Sequence, residues 1–88
     1  MTPRQIIKAE YGNSRNLITP RRLGIGALPG GAYELSTGTG IDHEPIFGVT
    51  VVRCNASDNV ARDIDASQMF YSREEARAYI RDLKAGRL

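Results

Sequence analysis

The sequence predicts an α+β fold: a short N-terminal helix, a three- to four-stranded antiparallel sheet, and a C-terminal amphipathic helix packed on one face. Three observations predict it. Ser72 stands three residues before Glu75, and Ala76, Tyr79, Ile80 and Leu83 then follow the i, i+3, i+4, i+7 spacing of a helix with one buried side. Residues 21–53 change to a period of two, the period of a strand. Pro29-Gly30-Gly31 breaks that stretch with turn chemistry, a proline for the first corner and a glycine free to take positive φ at the second.

In chain order, Thr2 can cap a helix that Pro3 opens, with Gln5 completing a reciprocal capping box. Ile6, Ile7 and Tyr11 supply a partial apolar stripe, and Gly12-Asn13 supplies a stop. A helix of about ten residues is marginal alone, so it has to dock. Leu17-Ile18 reads as extended because Pro20 biases Thr19 away from helical backbone. From Arg21, Leu23, Ile25 and Ala27 alternate with Gly24 and Gly26, and after the turn Tyr33, Leu35 and Thr37 alternate with Glu34 and Ser36. Ile46 to Arg53 carries apolar residues on both faces, the mark of a central strand covered from both sides. Val60 to Asp65 reads as a more polar edge strand, and Met69-Phe70-Tyr71 as an extended lead into the final helix, which Gly86 ends.

A chain of 88 residues makes one domain, 1–88, and buries only about 60–65% of its unfolded surface. Its parts are a helix and extended arm over 1–20, the sheet over 21–71 and the C-terminal helix over 72–86. Hydrophobic residues at 41% with 25% charged fit a globular chain. No apolar run approaches the ~20 residues of a membrane span, and Lys8, Glu10 and Arg15 interrupt anything like a signal peptide. The lone cysteine, Cys54, excludes an internal disulfide. A reducing, cytoplasmic setting is therefore the expectation, and the sequon Asn55-Ala56-Ser57 is read as chance.

The net charge of +2 hides an asymmetry. Residues 1–31 hold five basic side chains (Arg4, Lys8, Arg15, Arg21, Arg22) against Glu10, whereas residues 32–71 hold two against six acids. Residues 72–88 hold five basics against three acids. Arg73, Arg77, Arg81 and Lys84 form a ridge on one flank of the C-terminal helix. Either basic group suits an anionic partner. Cations near a helix C-terminus also complement its dipole, and the ridge reads first as a solvated surface, the N-terminal basic residues being the better binding candidates.

Catalytic residue types cluster only at Asp42-His43-Glu44, in a glycine-rich connection that reads as a solvated loop. His43 is the sole histidine, so neither a histidine metal pair nor a nucleophile–histidine spacing can be built, and no metal or cofactor is expected. Gly24-x-Gly26 with Gly30-Gly31 lacks the helix and the Gly-Lys-Ser/Thr of a phosphate loop, and reads instead as close approach within a sheet.

Ala32-Tyr33-Glu34-Leu35-Ser36, Pro45-Ile46-Phe47-Gly48-Val49-Thr50-Val51-Val52 and Phe70-Tyr71-Ser72-Arg73-Glu74-Glu75-Ala76-Arg77-Ala78-Tyr79 resemble segments of small uncharacterised proteins of actinobacteria and their phages. Phe70, Ser72, Glu74, Glu75 and Ala76 also resemble, more weakly, the sheet-to-helix lead of DNA-binding domains in plant transcription factors and integrase arms. The first resemblance implies a small non-enzymatic accessory or regulatory protein of a phage or mobile element that binds a host or phage protein. The second implies a module that binds double-stranded DNA through its basic N-terminal segment and sheet. Candidate binding residues are Arg4, Lys8, Arg15, Arg21, Arg22, Arg77 and Arg81, with Asp42, His43 and Glu44 as loop candidates. If one sheet face is bare, Ile46, Val52 or Leu28 is exposed and a homodimer is the natural remedy.

Overall fold

Two turn residues set the register of the sheet. Strands β1 (Arg21–Leu28) and β2 (Gly31–Thr39) pair antiparallel with Leu28 opposite Gly31, so Pro29 and Gly30 alone make the connection. Gly30 has φ +73°, the conformation that favours glycine at the second corner. A computed structural model describes residues 1–10 and 21–87. The expected stop at Gly12-Asn13, the extended Leu17-Ile18 and Arg15 lie outside the described residues.

The third strand, β3 (Pro45–Cys54), pairs with β2 along its whole length, Gly31 opposite Arg53 and Thr39 opposite Pro45. Its other edge is served by two short pieces, β4 (Val60–Arg62) and β5 (Gln68–Phe70). Val52, Arg53 and Cys54 pair with β4, and Phe47, Gly48 and Val49 pair with β5. The expected single edge strand over 60–65 thus ends at Arg62, and the expected lead over 69–71 is itself a strand. Side-chain hydrogen bonding explains the interruption. Asp63 donates its amide to the Val51 carbonyl, then turns the chain by accepting the Ala66 amide on Oδ1 (3.0 Å). Ser67 returns it: its Oγ accepts the Val51 amide (2.9 Å) and donates to the Asp63 carbonyl (2.8 Å). The central strand therefore stays bonded across the gap.

Both helices take the N-cap residues the sequence predicts, and of the two only α1 shows the reciprocal capping box. In α1 (Pro3–Glu10) Gln5 donates its amide to Thr2 Oγ1 and its side-chain oxygen accepts the Thr2 amide, closing the box. In α2 (Arg73–Lys84) Ser72 Oγ accepts the Glu75 amide. The end of α2 is a Schellman motif: Gly86, at φ +72°, donates to the Leu83 carbonyl, and Arg87 donates to that of Asp82.

The sheet is covered on both faces. α2 lays Ala76, Ile80 and Leu83 on Leu28, Leu35, Val49 and Val51. α1 lays Ile6 and Ile7 on Ala32 and Val52. Val49, Val51 and Val52 are at most 1% exposed, each contributing about 1.5–3 kcal/mol through burial. Ile46, Val52 and Leu28 are all buried within the chain, so the premise for a homodimer through a bare face is absent. No helix among the described residues is long and apolar enough to cross a membrane.

One face assignment changes. Strict alternation put Leu23, Ile25 and Ala27 on one side, but the register shifts between Arg22 and Gly24, making Leu23 an extra residue. A bulge flips every side chain beyond it. Leu23 packs with the core under α2, and Ile25 packs with the core under α1.

Candidate functional site

Strand alternation separates two adjacent arginines just before the bulge. Arg21, opposite Thr37, falls on the α2 face of β1, whereas Arg22, opposite Ser36, falls on the α1 face. There Arg22 Nε is ion-paired with Glu34, whose side chain is only 7% exposed. Glu34 is one of a buried polar trio with Ser36 and Thr50 on that face. Arg22 is thereby committed to the sheet's own electrostatics, since a buried carboxylate requires a partner. Arg4 and Lys8 are exposed on α1, four residues apart. The described basic residues of the first third are thus divided between the two faces of the sheet.

The loop candidates do not converge. Asp42 and His43 are exposed, while Glu44 is half-buried. The Gly40 amide donates to the Glu44 carbonyl and the His43 amide to the Gly40 carbonyl, which closes a tight turn with His43 at φ +64°. Oε2 of Glu44 is buried without a hydrogen-bond partner among the described residues. No group of three or more His, Cys, Asp or Glu side chains among the described residues is placed to hold a metal ion. Cys54 is half-buried beside Met1, Asn55 and Asp58, and free.

The helical ridge is where side chains come together. Arg77, Arg81 and Lys84 form one wall of an open groove of about 720 Å³, with Glu74 at its upstream end. Leu23 and Gly24 of β1, Tyr33 and Leu35 of β2, and Ile80 of α2 itself complete the lining. Lys84 Nζ lies 5.4 Å from the centroid of the Tyr33 ring, a cation–π contact that holds both at one end. The Tyr33 ring in turn crosses Gly26, where any β-carbon would overlap it. Neither Arg77 nor Arg81 has an ion-pair partner among the described residues, whereas Arg53, Arg22 and Arg87 each hold an acid. Arg73, the remaining member of the ridge, is turned over Phe47 at 5.8 Å instead.

The arrangement offers fixed positive charge beside apolar side chains, chemistry suited to binding an anionic group attached to an apolar one. Arg77 and Arg81 were legible as candidates from helical spacing. The strand side was not: Leu23 reaches this face only because of the bulge, and no local sequence signal announced it.

Away from the groove, Asp63 in the turn at 63–67 and Tyr79 of α2, which bonds to that turn, both have shifted pKa values. Hydrogen bonding from the Ala66 amide and then from Arg53 holds the Asp63 carboxyl below its usual value. Burial, reinforced by the Asp63 charge, pushes the Tyr79 phenol up. Tyr79 donates to the Ala66 carbonyl and Arg53 Nε donates to Asp63 Oδ2 (3.1 Å), so these groups brace helix, turn and sheet against one another. Comparison with known proteins finds no match in any family model, curated protein or solved structure.

Proposed function

We propose that the protein is a small, non-enzymatic accessory protein of a phage or mobile element that acts in the cytoplasm by binding a protein partner. The observation that carries the reading is the groove between α2 and β1, with Arg77, Arg81 and Lys84 over Leu23, Tyr33 and Leu35. Two arginines without an ion-pair partner among the described residues, beside the half-buried Leu23 and Tyr33, are the composition of a recognition surface, where charge steers encounter and apolar contact holds. The phage setting rests on the sequence resemblance of residues 32–83 alone. Parallel affinity capture from an actinobacterial lysate with the wild type and with Arg77→Gln/Arg81→Gln tests it. A protein identified in the first and missing from the second supports the reading. Identical captures, or none, overturn it.

A second reading, a double-stranded-DNA-binding module, is favoured by Arg21 sharing the α2 face with that ridge. It requires duplex affinity that falls steeply with salt as counterions are released. Absence of duplex binding at ~50 mM salt by fluorescence anisotropy eliminates it.

A further inference from the structure

We infer that the occupant of the α2–β1 groove is an extended acidic peptide segment in which carboxylates alternate with apolar side chains. The inference rests on the partner-binding reading above and adds the chemistry of the partner.

The spacing of the wall is the first argument. Arg77 and Arg81 are four residues apart on one helix, a rise of about 6 Å. In an extended chain, side chains on one face recur every two residues, about 6.6–6.8 Å. Carboxylates at positions n and n+2 of a segment running along α2 therefore match Arg77 and Arg81 nearly in step. Lys84, three residues further on, rises only about 4.5 Å beyond Arg81 and so adds positive charge at that end without matching a third carboxylate in step.

The second argument is the surface opposite that wall. Residue n+1 of such a segment points away from the helix, toward Leu23 and the Tyr33 ring, so an apolar side chain there meets an apolar surface. A run of acids alone leaves that surface unused. A phosphate backbone does the same, which favours peptide over nucleic acid.

The third argument is placement. Glu74 stands at the upstream end of the groove and Lys84 at the downstream end. Carboxylates are thus drawn toward Lys84 and repelled from Glu74, which places the segment along Arg77 to Lys84. Tyr33, held by Lys84 on one side and seated over Gly26, presents a preset aromatic surface.

The test is fluorescence anisotropy at low salt with the full chain and four labelled probes: an eight-residue alternating Glu–Leu peptide, its Lys–Leu counterpart, octaglutamate, and a 20-base-pair duplex. The Glu–Leu peptide is expected to bind best, and Arg77→Gln/Arg81→Gln to weaken it about fivefold or more. Both arginines are exposed, and an unchanged far-UV spectrum and melting temperature confirm that the variant folds. As a second variant, Leu23→Ser is expected to weaken the Glu–Leu peptide while leaving octaglutamate unchanged. Octaglutamate binding as tightly as Glu–Leu, the duplex binding tighter than either, or no probe binding each overturns the inference. If the lysate partner still depends on Arg77 and Arg81 while the Glu–Leu peptide fails, only the acidic segment is lost. If the partner is indifferent to those arginines, the groove reading itself falls.

Discussion

The hydroxyl of Tyr79 donates to the backbone carbonyl of Ala66, fastening α2 to the turn that interrupts the outer strand. The same ring packs on Phe70, with centroids 5.2 Å apart. Tyr79→Phe keeps the ring contact and removes only the hydroxyl, so it should cost about 0.5–1.5 kcal/mol in urea denaturation. The phenol's raised pKa contributes stability that is complete below pH 10 and lost as pH climbs through the folded value. Wild type and Tyr79→Phe should therefore converge on the alkaline limb. Parallel curves up to high pH would contradict this.

Ser67 stands in for a missing strand residue beside Val51. Ser67→Ala leaves the buried Val51 amide without its acceptor, at a cost of about 1–3 kcal/mol. Amide exchange at Val51 should accelerate well beyond that of Val49, which remains within the β3–β5 ladder.

Asp63 has the opposite pH signature to Tyr79. Its carboxyl is held below 3.8 by the Ala66 amide and Arg53, so its contribution is complete above that value and disappears as pH falls through the folded value. Asp63→Asn should be less stable than wild type at pH 7. The two should become equal in strong acid, as thermal melts across pH 2–7 would show. A constant difference over that range would remove the carboxylate's role.

Glu34 depends on Arg22 more than Arg22 depends on Glu34, because the glutamate is buried and the arginine side chain is 51% exposed. Arg22→Met should destabilise by about 1–3 kcal/mol, toward the lower value since water reaches the pair. Adding Glu34→Gln to Arg22→Met should recover part of the loss by removing the orphaned charge. A double variant no more stable than Arg22→Met would show that the pair is not the source of the effect.

Local signals in the sequence determined the helices, the hairpin and the central strand. Thr2 with Gln5, Ser72 with Glu75, and Pro29-Gly30 each act through hydrogen bonds or φ preferences within four residues, so short windows contain the whole cause. The apolar period of Ala76, Ile80 and Leu83 likewise named its own buried side. Tertiary contacts decided the rest. The break in the outer strand depends on Asp63 and Ser67 finding Val51, between 12 and 16 residues away. The β1 bulge depends on how β2 seats against β1, and it alone moves Leu23 beneath α2 while sending Ile25 to the other core. Arg77 and Arg81 could be listed from helical spacing alone. That they wall a groove, while Arg22 serves a buried glutamate, follows from which face each strand residue is given, and that is settled only when the strands pair.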